Sequence, residues 1–205
     1  MPQMPLVSGS RIVNGRTGSP GTLGFIGIGP ADDRFLVSCY HVLGRVRGSP
    51  ELPSDGEAIW QPGSELTSEM VAVTSVPMMN ARYDVAAARL LPGVPVSADI
   101  MSLGPIRRVA AAEEGMRVCK FGAETGLTAG VISYAGETLI EIEGDPDAGE
   151  EYLLSHDGDS GALWVSPGGD AIAMHFQGRD GNRAFARPMP FVLSTLGLTL
   201  LTTDV

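Results

Sequence analysis

Glycine and proline cut this chain into short pieces, and that punctuation constrains its fold more than any other feature. Apolar runs at 24–28, 34–37, 70–76, 84–91, 116–119, 130–133, 138–142, 162–165 and 171–176 are each of strand length, and several alternate or are rich in β-branched residues. Between them stand Gly29-Pro30, Ser49-Pro50, Pro62-Gly63, Pro92-Gly93, Pro167-Gly168-Gly169 and Asp180-Gly181. Glycine reaches positive φ and proline fixes φ near its turn value, so each of these marks a turn. With 27 Gly and 15 Pro in 205 residues, the expectation is an all-β protein. Only 190–201, after Pro188 and Pro190, suits a helix, and its leucines fit a strand almost as well. The proline-rich stretch 91–106 reads as the crossover between an N-terminal half, 1–95, and a C-terminal half, 96–205.

Charge and cysteine usage narrow the function classes. Against 14 basic residues stand 24 acidic ones, and a formal charge of -10 repels a phosphate backbone, so nucleic-acid binding is set aside. Cys39 and Cys119 allow at most one disulfide, which suits a reducing compartment. Residues 1–10 lack a basic-then-apolar leader, and no run approaches the ~20 apolar residues of a membrane span. The expected location is the cytoplasm, or outside the cell if a leader has been removed, with no membrane partner. The acidic loop 144–151 has its glycine and final glutamate at the wrong offsets for a calcium loop, so it reads as a solvated turn; no metal and no cofactor are expected.

The densest chemical signal is Asp157-Gly158-Asp159-Ser160-Gly161-Ala162, between two strand candidates. Glycines on both sides let the backbone turn so that the amides of Gly158 and Ser160 point the same way and form an oxyanion hole. Each such donor is worth about 2.7 to 4 kcal/mol of barrier lowering. A glycine-aspartate hairpin with an incidental serine would carry the same letters. A serine nucleophile also needs a base and a group that fixes the base's tautomer. Of three histidines, His41 follows a strand candidate, 34–39, and begins a turn, His156 shares the serine's loop and reads as a pocket wall, and His175 lies among apolar residues, where a satisfied core histidine is the plain reading. His41 is therefore the expected base. Asp84 heads an apolar strand, where a carboxylate needs a partner such as an imidazole N–H.

Taken together, Ser38-Cys-Tyr-His-Val-Leu43, Tyr83-Asp-Val-Ala-Ala-Ala-Arg-Leu90 and Gly158-Asp-Ser-Gly161 resemble the three catalytic blocks of the trypsin/chymotrypsin-like serine peptidases, in that family's His, Asp, Ser order. The likeness covers about residues 20 to 197 and is to the compact bacterial type. It implies two six-stranded antiparallel β-barrels with the site in the cleft between them, and hydrolysis of a protein or peptide substrate through an acyl-enzyme. It further implies that Leu154 forms the base of the primary pocket, where an aspartate would select Arg or Lys. Ser155 and His175 match the positions that hold the acidic side chain in glutamyl endopeptidases, which points to Glu or Gln. Gly178 matches the residue whose backbone pairs with an extended substrate. Cys39 precedes the histidine, so the family's usual disulfide beside the base is absent. Arg11-Ile-Val-Asn-Gly15 resembles an activation site, whose freed Ile12 amine would pair with Asp159, although a first strand explains the same letters. A silent binding module of this fold, or an enzyme awaiting an activating partner, is the alternative reading.

Overall fold

The computed structural model describes residues 5–44, 51–62, 68–144 and 153–203. The turn signals at 49–50 and 63 and nearly all of the acidic loop 144–151 lie outside those residues. Two β lobes account for most of the rest. The C-terminal lobe is a closed barrel of six strands in the order Arg117–Gly122, Gly126–Ala135, Ile140–Gly144, Arg183–Pro188, Ala171–Arg179 and Leu163–Val165, the last pairing back onto the first. Each pair is antiparallel, and alternation such as Ile140, Ile142 and Gly144 inward against Glu141 and Glu143 outward sets the register. Val118, Ile132, Ile140, Ile142, Leu154, Trp164, Ile172 and Ala184 fill its interior.

The N-terminal lobe is a curled sheet of eight strands. From edge to edge these are Thr199–Leu200, Phe25–Ile28, Arg34–Ser38, Val85–Leu90, Ser68–Asn80, Ala58–Pro62, Arg11–Asn14 and Pro20–Thr22. Its central strand, Val85–Leu90, opens with four fully buried residues, Val85, Ala86, Ala87 and Ala88. A third, three-stranded sheet joins Leu6–Ser8 in parallel to Val96–Ile100, which pairs antiparallel with Gly104–Pro105, within the crossover the sequence suggests.

The C-terminal run resolves its own ambiguity by being both elements. Met189–Leu196 is a helix with Pro190 in its first turn, Gly197 closes it in the left-handed region (φ 65°), and Thr199–Leu200 then pairs with Phe25–Ile28. The chain's end is thus hydrogen-bonded to the N-terminal lobe.

Candidate active site

His41 sits on a single helical turn, Tyr40–Leu43, which leaves the inner strand Arg34–Ser38. Val42 and Leu43 are fully buried and pin the turn, while the half-buried ring of His41 is left at the strand end. Asp84 comes from the turn before Val85–Leu90 and has φ 59°, a left-handed conformation that aspartate tolerates better than most residues. Both of its oxygens are used on one partner. The His41 amide donates to Oδ1 at 2.9 Å, and His41 Nδ1 lies 2.7 Å from Oδ2. That arrangement fixes the ring with Nδ1–H toward the carboxylate and leaves Nε2 free to take a proton.

Ser160 stands on a loop whose glycines are needed. Gly158 and Gly161 have φ of 107° and 101°, closed to other residues at little cost, and a Cβ on Gly161 would collide with Ser38 Oγ and the Thr22 carbonyl. The N-terminal lobe grips this loop. The Thr22 amide donates to the Ser160 carbonyl at 2.8 Å, and Thr22 Oγ1 donates to the Gly158 carbonyl at 2.8 Å. The amides of Gly158 and Ser160 donate to no acceptor among the described residues, which is the condition an oxyanion hole requires. His41, Gly158 and Ser160 line one 410 Å³ pocket together with Asp157 and the segment 17–20. Among the described residues no hydrogen bond joins His41 Nε2 to Ser160 Oγ; such bonds are often long in ligand-free sites.

Asp159 is fully buried, and the structure assigns it a partner the sequence reading did not. Lys120 Nζ lies 2.8 Å from Asp159 Oδ2, with both side chains at zero exposure. Thr125 Oγ1 donates to Oδ2 at 2.6 Å, the His156 amide donates to Oδ2 at 3.2 Å, and the amides of Glu124 and Thr125 donate to Oδ1, each at 3.1 Å. Burial pushes this carboxyl up, but Lys120 and these donors outweigh it and hold it below its ordinary value. Burial pulls the Lys120 ammonium down, against the pull of Asp159. The activation reading of Arg11-Ile12 is therefore corrected. Ile12 is a fully buried residue inside Arg11–Asn14, paired with Gly21, and the charge its freed amine would neutralise is already neutralised by Lys120. The signal was present: in Arg117–Gly122, Val118, Lys120 and Gly122 alternate inward, so Lys120 is a lysine at a core-facing position.

The specificity residues divide. Leu154 is fully buried in the barrel interior. Ser155 Oγ lies against Gly178, close enough that any side chain there would strike it. Gly178 is exposed and pairs with Ala184, while beyond Met174 the other edge of its strand faces no strand among the described residues. That edge is open to an added strand. His175 is 1% exposed, as a core residue would be, yet its Nδ1 has no hydrogen-bond partner among the described residues, so within them it is not the satisfied histidine expected from its apolar neighbours. Burial and the nearby Lys120 push its basicity well down, leaving it neutral at pH 7. His156 does not line this pocket. Its ring turns to its neighbour's carbonyl, with Nδ1 3.1 Å from the Asp157 oxygen, and Asp157 lines the pocket in its place.

Cys39 and Cys119 are both free thiols. Burial pushes the Cys39 thiol far up, and its Sγ–H donates to the His175 carbonyl at 3.2 Å. Cys39, His41 and Asp84 have donor atoms within 4.8 Å of one another. However, Nδ1 and Oδ2 at 2.7 Å are closer than the roughly 3.3 Å between two ligands on one tetrahedral ion. These donors are spent on hydrogen bonds to each other and to the backbone.

A closed β-barrel and a curled half-barrel, with His41 from one and Ser160 from the other lining one pocket and Asp84 bonded to His41 behind it, match the chymotrypsin fold. No protein-family model and no curated protein matches the chain. Solved structures do. The chain is similar to Protease A of Thermobifida fusca at 21% identity and a TM-score of 0.67, covering 96% of this chain and 98% of that one. It is similar to the Nocardiopsis protease at 19% identity and a TM-score of 0.69, over 96% and 98% of the two chains. A glutamic-acid-specific serine protease described as using a histidine triad in substrate binding matches at 18% identity and a TM-score of 0.68, over 96% and 100%. At these identities the likeness establishes the fold.

Proposed function

We propose that the chain is a serine endopeptidase in which Ser160 attacks a peptide carbonyl, His41 takes the hydroxyl proton through Nε2, and Asp84 holds the ring and stabilises the imidazolium. The amides of Gly158 and Ser160 bind the developing oxyanion, and water then releases the acyl-enzyme with His41 as base. The observation that carries this reading is the His41–Asp84 contact of 2.7 Å on the wall of the pocket that also holds Ser160 and Gly158. Loop and base come from opposite lobes, and among the described residues the amides of Gly158 and Ser160 donate to no acceptor. Treatment with a fluorophosphonate followed by peptide mapping tests it. An adduct on Ser160, absent from Ser160→Ala and strongly slowed in His41→Ala, is expected; an unmodified Ser160 in the intact chain refutes it in favour of a silent binding module.

For the primary pocket we infer a preference for Gln or Glu, with Gln favoured. Leu154 supplies no carboxylate for an Arg or Lys side chain. Ser155 offers a hydroxyl and His175 a neutral imidazole, a pair suited to an uncharged amide. The glutamate-specific relative is described as using three histidines. Here His41 is bonded to Asp84 and His156 lies on the exposed loop, which leaves His175 alone for such a role. A peptide-library cleavage profile decides it: cleavage after Gln above Glu is expected, and cleavage after Arg or Lys overturns it.

A further inference from the structure

The turn that presents Asp84 is tied to the opposite lobe by a residue outside the catalytic motifs. Arg187 lies on Arg183–Pro188 of the closed barrel, and its Nε donates at 2.9 Å to the carbonyl of Tyr83, the residue just before Asp84. Its Nη1 donates to the Thr138 carbonyl at 2.7 Å, and its guanidinium carbon sits 4.2 Å from the centre of the Phe176 ring. Three groups thus immobilise a planar fork, and one of them is the peptide that sets the direction of the Asp84 side chain. The preceding peptide is held as well, its Tyr83 amide donating to Asn80 Oδ1 at 3.1 Å. The Tyr83 ring is itself held edge-on by Phe191, with centroids 4.7 Å apart. Among the described residues, the Asp84 carboxylate accepts hydrogen bonds only from His41, so its placement depends on this turn rather than on a second donor.

We propose that Arg187 is a positioning residue for the Asp84–His41 pair, a tether through which the barrel that carries Ser160 holds the turn that orients the base. The inference rests on the endopeptidase reading above for its kinetic consequence, though not for its structural one. The peptide it fixes precedes a residue in the left-handed region, where small rotations swing the carboxylate away from Nδ1. The guanidinium also brings a positive charge to this region. Charged or titratable groups facing the pair are Asp84 and His41 themselves, Cys39 before the helical turn, Tyr83, His175 from the barrel strand, and Arg187. Burial lowers the Arg187 basicity while Asp84, Cys39 and Tyr83 oppose that, which places these groups in one electrostatic neighbourhood.

The test compares Arg187→Lys, Arg187→Met and Phe176→Leu with the parent chain. Two readouts are taken: the rate of fluorophosphonate labelling at Ser160 across pH, and the proton resonance of His41 Nδ1–H, which a short carboxylate bond shifts far downfield. Misplacing a catalytic group by ~1 Å costs on the order of a hundredfold, so Arg187→Met is expected to label about ten- to a hundredfold more slowly, with the resonance moved or broadened. Arg187→Lys keeps the charge but not the two-carbonyl fork, and is expected to be slowed too, with the resonance moved in the same direction. Phe176→Leu removes the stacking face and should loosen the resonance in the same direction, which serves if Arg187→Met fails to fold. Folded variants that label within about twofold of the parent, with the resonance unchanged, overturn the proposal. A parent chain that shows the resonance but no adduct on Ser160 refutes the endopeptidase reading, and the resonance series still decides the tether.

Discussion

Replacing Lys120 with methionine removes the cation from a fully buried ion pair and leaves Asp159 charged among four remaining donors. Both side chains have no exposure, so solvent screens nothing. Breaking such a pair by deleting one partner costs about 3–5 kcal/mol, because the remaining charge keeps its burial penalty without its counter-charge. For a chain of this size that is a fall in melting temperature of roughly 6–20 °C. Because Asp159 neighbours Ser160 and anchors the loop through Glu124, Thr125 and His156, labelling of Ser160 should slow as well. Circular dichroism melts at pH 7 with parallel fluorophosphonate labelling read both effects. The double variant Lys120→Met, Asp159→Asn removes both charges, keeps an acceptor for the amides, and should recover part of the lost stability. If Lys120→Met melts within about 2 °C of the parent, the pair is not what compensates Asp159 and the reasoning fails.

The remaining predictions are simpler. Asp84→Asn keeps the shape but lets Nδ1 lose its acceptor, so kcat is expected to fall by about four orders of magnitude with the fold intact by circular dichroism. Gly161→Ala forces φ near 101° on a residue with a Cβ aimed at Ser38 and the Thr22 carbonyl; strain of about 1–3 kcal/mol before the clash should lower the melting temperature and abolish labelling. The folded Asp159 carboxyl titrates below its ordinary 3.8, so its share of stability is complete above that pH and is lost as pH falls toward the lower folded value. Acid denaturation monitored by fluorescence should therefore lose this contribution below about pH 4 in the parent chain and not in Asp159→Asn.

Much of this molecule could be read from its letters, and the parts that could not share a cause. The strands are legible because glycine and proline mark their ends and because alternation survives burial, as in Ile140–Gly144. The candidate site is legible because its residue types are scarce: of the three histidines in the sequence, only His41 follows a strand candidate and begins a turn. Lys120 is harder to see: its place in the alternation with Val118 and Gly122 marks it as core-facing only once the strand's inward register is known, and until then a lone lysine reads as a surface side chain. Thr22 and Arg187 carry no local signature at all, since each acts on backbone atoms far away in sequence, at Gly158 and Tyr83. That the Nδ1 of His175 finds no partner among the described residues is equally invisible, because apolar neighbours in sequence say nothing of which polar atoms the fold brings near it.

The claim that Ser160 forms a covalent acyl-enzyme is tested most directly by rapid-mixing kinetics with an activated ester, joined to intact-protein mass spectrometry of the quenched mixture. A burst of leaving group stoichiometric with protein, together with an acyl mass increment that maps to Ser160, is predicted, and both should vanish in Ser160→Ala. Linear release with no acylated protein at any time point would contradict it.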